Sequence, residues 1–203
     1  MSISLHERDL PAAVDLGPVV AVDTEAMGLR PERDRLCLVQ LASADGQCHL
    51  VRFKGDDYRA PNLVRLLGNP EVEKVFHFAR FDLGILRRYL QVVCRPVYCT
   101  KIASKLARTY TDRHGLKDLC QELLGIDLSK QMQSSDWGAA ELSAAQLSYA
   151  ANDVLHLHRL RERLNAMLER EGRHALATAC FGFLPQRTEL DLAGWADVDI
   201  FAY

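Results

Sequence analysis

No stretch of the chain approaches the roughly 18 uncharged apolar residues that a membrane span requires, so no membrane partner is expected. Neither sign of charge is in excess. The 25 Lys and Arg residues stand against 27 Asp and Glu, a net charge of −2, which argues against holding long nucleic acid by bulk electrostatics, since each neutralised phosphate needs a basic contact. The six cysteines contain no C-x-x-C pair and read as reduced and mostly buried. Cys94 and Cys99 are two potential zinc ligands, with no second pair nearby to complete a tetrahedral site. The first 23 residues lack the basic start and apolar core of a secretory signal, so a cytoplasmic location is expected. There is no internal repeat, low-complexity stretch or linker, and 203 residues suit one domain with its own core.

What is present is unevenly placed. Between Lys74 and Lys117 ten basic residues face two acidic ones, whereas Glu189 to Tyr203 holds four acids and no base. Each run reads either as a solvated face or as something sharper, a central anion-binding surface and an acidic tail that docks on something. Val19 to Val22 reads as a buried strand. Leu36–Ala42 and Cys48–Phe53 flank Asp45-Gly46 and read as a hairpin. A short helix over Asn62–Leu67, a strand over Lys74–Phe78 and a helix over Ala79–Leu90 follow. Next come a strand near Val97–Thr100 and helices over Lys101–Thr109 and Leu116–Leu124. Ser143 and Gln146 form a capping box opening the longest helix, expected to run unbroken to about Arg170. A last helix runs from Arg173 to about Cys180. This order indicates an α/β fold with a mixed sheet flanked by helices.

Asp23 and Glu25, two apart at the end of a strand, share one face. Two like charges about 4 Å apart repel by roughly 1–4 kcal/mol, so a divalent cation between them is the simplest resolution. Asp82 lies where His77-Phe78-Ala79-Arg80-Phe81-Asp82 hands a strand over to a helix, and there it also reads as a favourable helix N-terminal charge. Asp153 and Tyr149 lie one turn apart on the longest helix, at the edge of its apolar stripe.

The segments Val22-Asp23-Thr24-Glu25, Leu38-Val39-Gln40-Leu41, His77 to Asp82 and Tyr149-Ala150-Ala151-Asn152-Asp153-Val154 together resemble the tyrosine subtype of the DEDD 3′–5′ exonucleases, the RNase D group. The resemblance covers nearly the whole chain and implies a single-domain RNase H-like fold. It implies that Asp23, Glu25, Asp82 and Asp153 gather two divalent cations, Mg²⁺ or Mn²⁺, for two-metal phosphodiester hydrolysis. Tyr149 would orient the attacking water or help to deprotonate it.

Within that group the chain is most similar to the short stand-alone nanoRNase C proteins, through Cys99-Thr100-Lys101-Ile102-Ala103-Ser104, Thr109 to Leu116 and Ser134-Ser135-Asp136-Trp137. Only some thirty residues follow the long helix, too few for the helical RNA-binding repeats of full-length RNase D. This likeness implies a dinucleotide RNA substrate and a homo-oligomer, an octameric ring. The alternative is RNase D-like 3′ trimming of longer RNA or DNA.

The expected substrate contacts are Thr24, Leu29, His77 and Arg113. Leu29 stands at the offset from D-x-E at which oligoribonucleases carry a leucine that wedges between bases; otherwise it is a loop leucine closing the core. Arg80, Arg108, Arg113 and Lys130 are candidates for capping a 5′ phosphate. His77 either faces the site or is satisfied in the core, and Trp137 either stacks on a base or packs in the core or at an oligomer contact. Residues 1–182 form the expected exonuclease domain. Residues 183–203 are too apolar for a disordered end and are expected to pack on the domain or on a neighbouring subunit.

Overall fold

The computed structural model describes residues 2–129, 132 and 134–203. Six strands, β1 (Ser2–Glu7), β2 (Val19–Ala26), β3 (Leu36–Ala42), β4 (Gln47–Arg52), β5 (Glu73–Phe76) and β6 (Val97–Cys99), form one sheet in the order β1-β4-β3-β2-β5-β6. The α-helices are α1 (Pro61–Gly68), α2 (Ala79–Leu90), α3 (Thr100–Ala107), α4 (Leu116–Leu119), α5 (Ala144–Leu155), α6 (Leu157–Arg170) and α7 (His174–Leu190). The arrangement is the mixed α/β, RNase H-like sheet flanked by helices.

Strand β2 is where the sheet changes character. It is antiparallel to β3, whereas β5 and β6 run parallel to it. The C-terminal ends of β2, β5 and β6 therefore reach one edge of the sheet, where α2 and α3 begin. Crevices at the carboxyl ends of strands beside such a switch are recurrent ligand sites. The middle of β2 (Val20, Ala21, Val22), all of β3, the inner residues of α5 (Ala150, Ala151, Val154) and the stripe Leu157, Leu160, Leu164 and Leu168 of α6 form the core.

Several elements depart from the periodicity argument. Strand β1, whose Ile3 and Leu5 alternate with polar residues, is not among the expected elements; it is an edge strand on which both apolar side chains stay exposed. It is held by a parallel register along β4 and by stacking of His6 on His49, ring centroids 5.2 Å apart. The expected single helix from Ala144 to Arg170 is two helices that break at His156 (φ −102°, ψ −5°). Its apolar spacing continues through the break, so the pattern conceals it; α5 lies on β2, β3 and β4, and α6 on α3 and β5. The stretch after α4 widens into a π-helical turn, Cys120–Leu124, that ends at Gly125 in the left-handed region. Helix α7 continues ten residues beyond Cys180 to Leu190 and passes through Pro185.

The central basic run and the acidic end of the chain meet. Arg80 grips Asp191 with Nε and Nη2 at 2.6 and 2.8 Å and donates to the Ala196 carbonyl, while Arg87 pairs with Glu189 at 2.6 Å. Phe201 folds back over Phe183, centroids 6.0 Å apart. Among the described residues neither Cys94 nor Cys99 belongs to a cluster of three metal-capable side chains, and no helix is long and apolar enough to cross a membrane.

Lys74 of β5 is fully buried. Its ammonium donates to the carbonyls of Asn69, Val72 and Arg95, which ties the turn before β5 to the segment entering β6. Burial lowers its pKa to about 8. Replacing it by Met leaves three carbonyls without their donor, so Lys74→Met is expected to cost about 2–4 kcal/mol in urea unfolding. A loss below about 0.5 kcal/mol would contradict this role.

Candidate active site

The crevice at the switch edge is built from three segments distant in sequence. On β2 the two-residue period places Asp23 and Glu25 on one face, and a bulge between Glu25 and Ala26 ends the regular register directly after them. Between β5 and α2 the chain reverses through Phe78, a non-glycine residue in the left-handed region (φ 70°, ψ 44°). A bulky residue there costs on the order of 1–3 kcal/mol, a strain that recurs at functional sites. This tight reversal brings Asp82, in the first turn of α2, back beside β2, where Thr24 donates its hydroxyl to Asp82 Oδ1 at 2.7 Å. Helix α5, opened by the Ser143–Gln146 capping box, contributes Tyr149 and Asp153.

The result is a cleft of about 330 Å³ lined by Asp23, Thr24, Glu25, Asp82, Tyr149 and Asp153 together with His77, Lys101 and Lys117. Carboxylate oxygens of Asp23, Glu25 and Asp153 lie within 4.8 Å of one another. Asp82 is 2% exposed. All four carboxyl groups are pushed upward, burial being the first cause in each case. Asp23 rises well above the usual carboxylate range, with Asp82, Asp153 and Glu25 adding repulsion. Glu25 rises to about 9, with further repulsion from Asp153 and Asp82. Asp82 reaches about 7, partly offset by the Thr24 hydroxyl, and Asp153 also about 7, partly offset by Tyr149. Burial and then the Asp153 charge drive the Tyr149 phenol far above its ordinary value, so it keeps its proton. A buried cluster of hard oxygen donors in mutual repulsion fits a divalent cation rather than a thiophilic metal.

Of the other expected site residues, Thr24 and His77 line the cleft. Leu29 is 85% exposed on the loop after β2, so it closes no core. That loop is stapled from within by Asp34. Its carboxylate accepts from the Arg30 N–H at 3.0 Å and from the Arg33 side chain, and it lies where a Cβ on Gly28 would be, 2.2 Å from Asp34 Oδ2. Arg113 is not brought to the cleft; it points to solvent and is bound to Asp118. Arg108 is fully buried and committed to Ser104, the Arg113 carbonyl and Glu122, while Arg80 is committed to Asp191. Lys130 lies outside the described residues. The cations that do line the cleft are Lys101, 4.1 Å over the Phe78 ring, and Lys117, 3.0 Å from Asp127. Neither stands at a motif acid; Lys101 lies in the Cys99–Ser104 string and Lys117 at the end of the basic run. Trp137 is buried against Tyr149, ring centroids 6.1 Å apart, so it packs internally.

The raised carboxyl pKa values fix the sign of a pH effect. An acid whose folded pKa exceeds its unfolded value of about 4 favours the folded state while both are protonated, and that contribution is lost as pH rises through the folded pKa. Metal-free protein is therefore expected to lose stability between about pH 5.5 and pH 9, and Mg²⁺ or Mn²⁺ to raise Tm more at the upper end. A metal-induced Tm shift that is equal at both ends, measured by scanning fluorimetry after chelation, would contradict the cluster's electrostatics.

Comparison with known proteins agrees with this geometry. Residues 6–169 match the 3′-5′ exonuclease family described as DNA_pol_A_exo1, whose DEDD members depend on divalent cations. Ribonuclease D of Gluconacetobacter diazotrophicus is 40% identical over 156 residues, 77% of this chain and 39% of that protein, so the chain spans about two fifths of such relatives. The structure of Brucella melitensis NrnC bound to pGG superposes with a TM-score of 0.97 at 54% identity, covering 100% of this chain and 99% of that one. NrnC of the same organism with bound Mg²⁺ gives 0.95 at 54% identity, with both chains fully covered. The chain thus belongs to the 3′–5′ exonuclease family, as a DEDD-type hydrolase related to NrnC and to RNase D.

Proposed function

We propose that the protein is a two-metal 3′–5′ exoribonuclease that hydrolyses very short RNA, chiefly dinucleotides, to nucleoside monophosphates. The observation carrying this reading is the convergence of Asp23 and Glu25 from β2, Asp82 from α2 and Asp153 with Tyr149 from α5 on one small cleft. Asp23, Glu25, Asp82 and Asp153 would hold two cations, Mg²⁺ or Mn²⁺. When bound, such ions lower the pKa of water and neutralise charge on the departing 3′ oxygen. Tyr149, whose phenol is held well above its ordinary pKa, would orient the attacking water through a hydrogen bond. Water adds across the terminal P–O3′ bond, releasing a nucleoside 5′-monophosphate and a chain shortened by one.

The preference for short chains is supported by the modest cleft volume, by the stapled loop that keeps Leu29 exposed, and by the likeness to an NrnC that binds pGG. Leu29 would wedge between the two bases, with Thr24 and His77 contacting the substrate. Lys101 and Lys117, rather than Arg113, would meet its phosphates, because the two lysines line the cleft and Arg113 does not. Residues 1–182 would act as the catalytic unit. Residues 183–203 present exposed Trp195, Val198, Ile200 and Phe201 that suit docking on a neighbouring subunit in a homo-oligomer, an octamer by likeness to nanoRNase C proteins. A cytoplasmic location suits RNA turnover.

A second reading, 3′ trimming of longer RNA or DNA, is favoured by the similarity to RNase D. A time course with 5′-labelled RNAs of two to seven nucleotides separates the two. Rapid loss of the dimer in Mg²⁺, slow turnover of longer chains and none with chelator are expected; even shortening of the heptamer would select trimming. Asp153→Ala is expected to lower turnover by at least about a thousandfold while keeping the fold by circular dichroism, and an active variant would remove the site. Leu29→Ala is expected to lower kcat/KM for the dimer on the order of tenfold and the heptamer less, since one leucine's apolar contact is lost.

A further inference from the structure

The hydrogen bonds around His77 determine which of its ring nitrogens carries the proton. Thr100, the first residue of α3 and fully buried, donates its single hydroxyl proton to the Phe76 carbonyl at 3.1 Å, an atom that can only accept. The same Thr100 oxygen lies 2.9 Å from His77 Nδ1. With its proton given to Phe76, Thr100 is left to accept from His77, an arrangement that favours the hydrogen on Nδ1. Burial and the Lys101 charge lower the ring's pKa to about 3, so it is neutral and Nε2 retains its lone pair. His77 lines the same cleft as the four acids. With Nδ1 at Thr100, Nε2 is the ring nitrogen left to accept a hydrogen bond from a ligand in that cleft.

We infer that the Phe76–Thr100–His77 chain locks this tautomer so that His77 Nε2 accepts a hydrogen bond from a sugar hydroxyl of the substrate. This rests on reading the cleft as an exoribonuclease site, and it names the group that His77 recognises there. An uncharged acceptor is matched by an uncharged donor, and beside a phosphodiester the donors are the ribose 2′- and 3′-hydroxyls. Thr100 is a positioning residue in this scheme, acting through His77.

The test compares kcat/KM for pGG with dimers lacking either the 2′- or the 3′-hydroxyls, and with its inosine counterpart, which lacks the base 2-amino group. Wild type is expected to lose about three- to tenfold on one of the two deoxy dimers, the size of one neutral hydrogen bond. That penalty is expected to fall below about twofold in Thr100→Val and His77→Phe and to persist in Thr100→Ser. The ¹⁵N shifts of the His77 ring supply a readout independent of turnover. A protonated Nδ1 is expected in wild type and Thr100→Ser, and a mixture with protonated Nε2 in Thr100→Val. Equal rates on all dimers, a penalty unchanged in both variants, an effect confined to the inosine comparison, or a protonated Nε2 in wild type would each overturn the inference. Absence of turnover on every dimer by wild type would instead overturn the exoribonuclease reading.

Discussion

Four carboxyl groups held together out of bulk water repel one another, and much of the rest of the molecule is arranged around that fact. Asp23, Glu25, Asp82 and Asp153 come from three separate segments, and every one is pushed toward its protonated form by burial. No folding advantage comes from such a cluster on its own. It is held in place by a well-packed sheet and helix core that makes no use of it, and divalent cations are the partners that turn repulsion into attraction.

The supporting structure has a consistent logic. The parallel half of the sheet delivers the starts of α2 and α3 to the end of β2, and the left-handed turn at Phe78 makes the reversal sharp enough for Asp82 to reach Thr24. The surrounding basic residues are mostly committed elsewhere: Arg108 to its own loop, Arg80 and Arg87 to the acidic end of the chain, Lys74 to three carbonyls. A net charge near zero thus coexists with a cleft lined by two lysines. The neutral ring of His77 adds an acceptor of a different kind.

The sequence made some of this legible and hid the rest for physical reasons. The β3–β4 hairpin, helix α2 and the Asp23–Glu25 pair stand out because local sequence fixes them: Asp45-Gly46 between two apolar runs, apolar residues at helical spacing, and D-x-E at a strand end. Asp82 and Asp153 join that pair only through the resemblance to the DEDD exonucleases. The break at His156 is hidden because the leucine stripe runs straight through it. Strand β1 is easily missed because its alternation is short, with only Ile3 and Leu5 as apolar members. The partners of the arginines are hidden most deeply. Arg80, Arg108 and Arg113 look alike in a basic run, and only the folded chain shows that one binds Asp191, one is buried and one is bound to Asp118. The role of Thr100 likewise needs β5 and β6 side by side before its hydroxyl can meet both Phe76 and His77.

Proton release on metal binding tests the central claim most directly. Carboxyl groups whose pKa values lie near or above neutrality must shed protons when a cation takes their oxygens. Titrating Mn²⁺ into the chelated protein near pH 7, in buffers of different ionisation enthalpy, is expected to show release of about one or more protons per protein and a smaller release in Asp153→Asn. Binding with no buffer dependence, or no binding at these residues, would contradict the account.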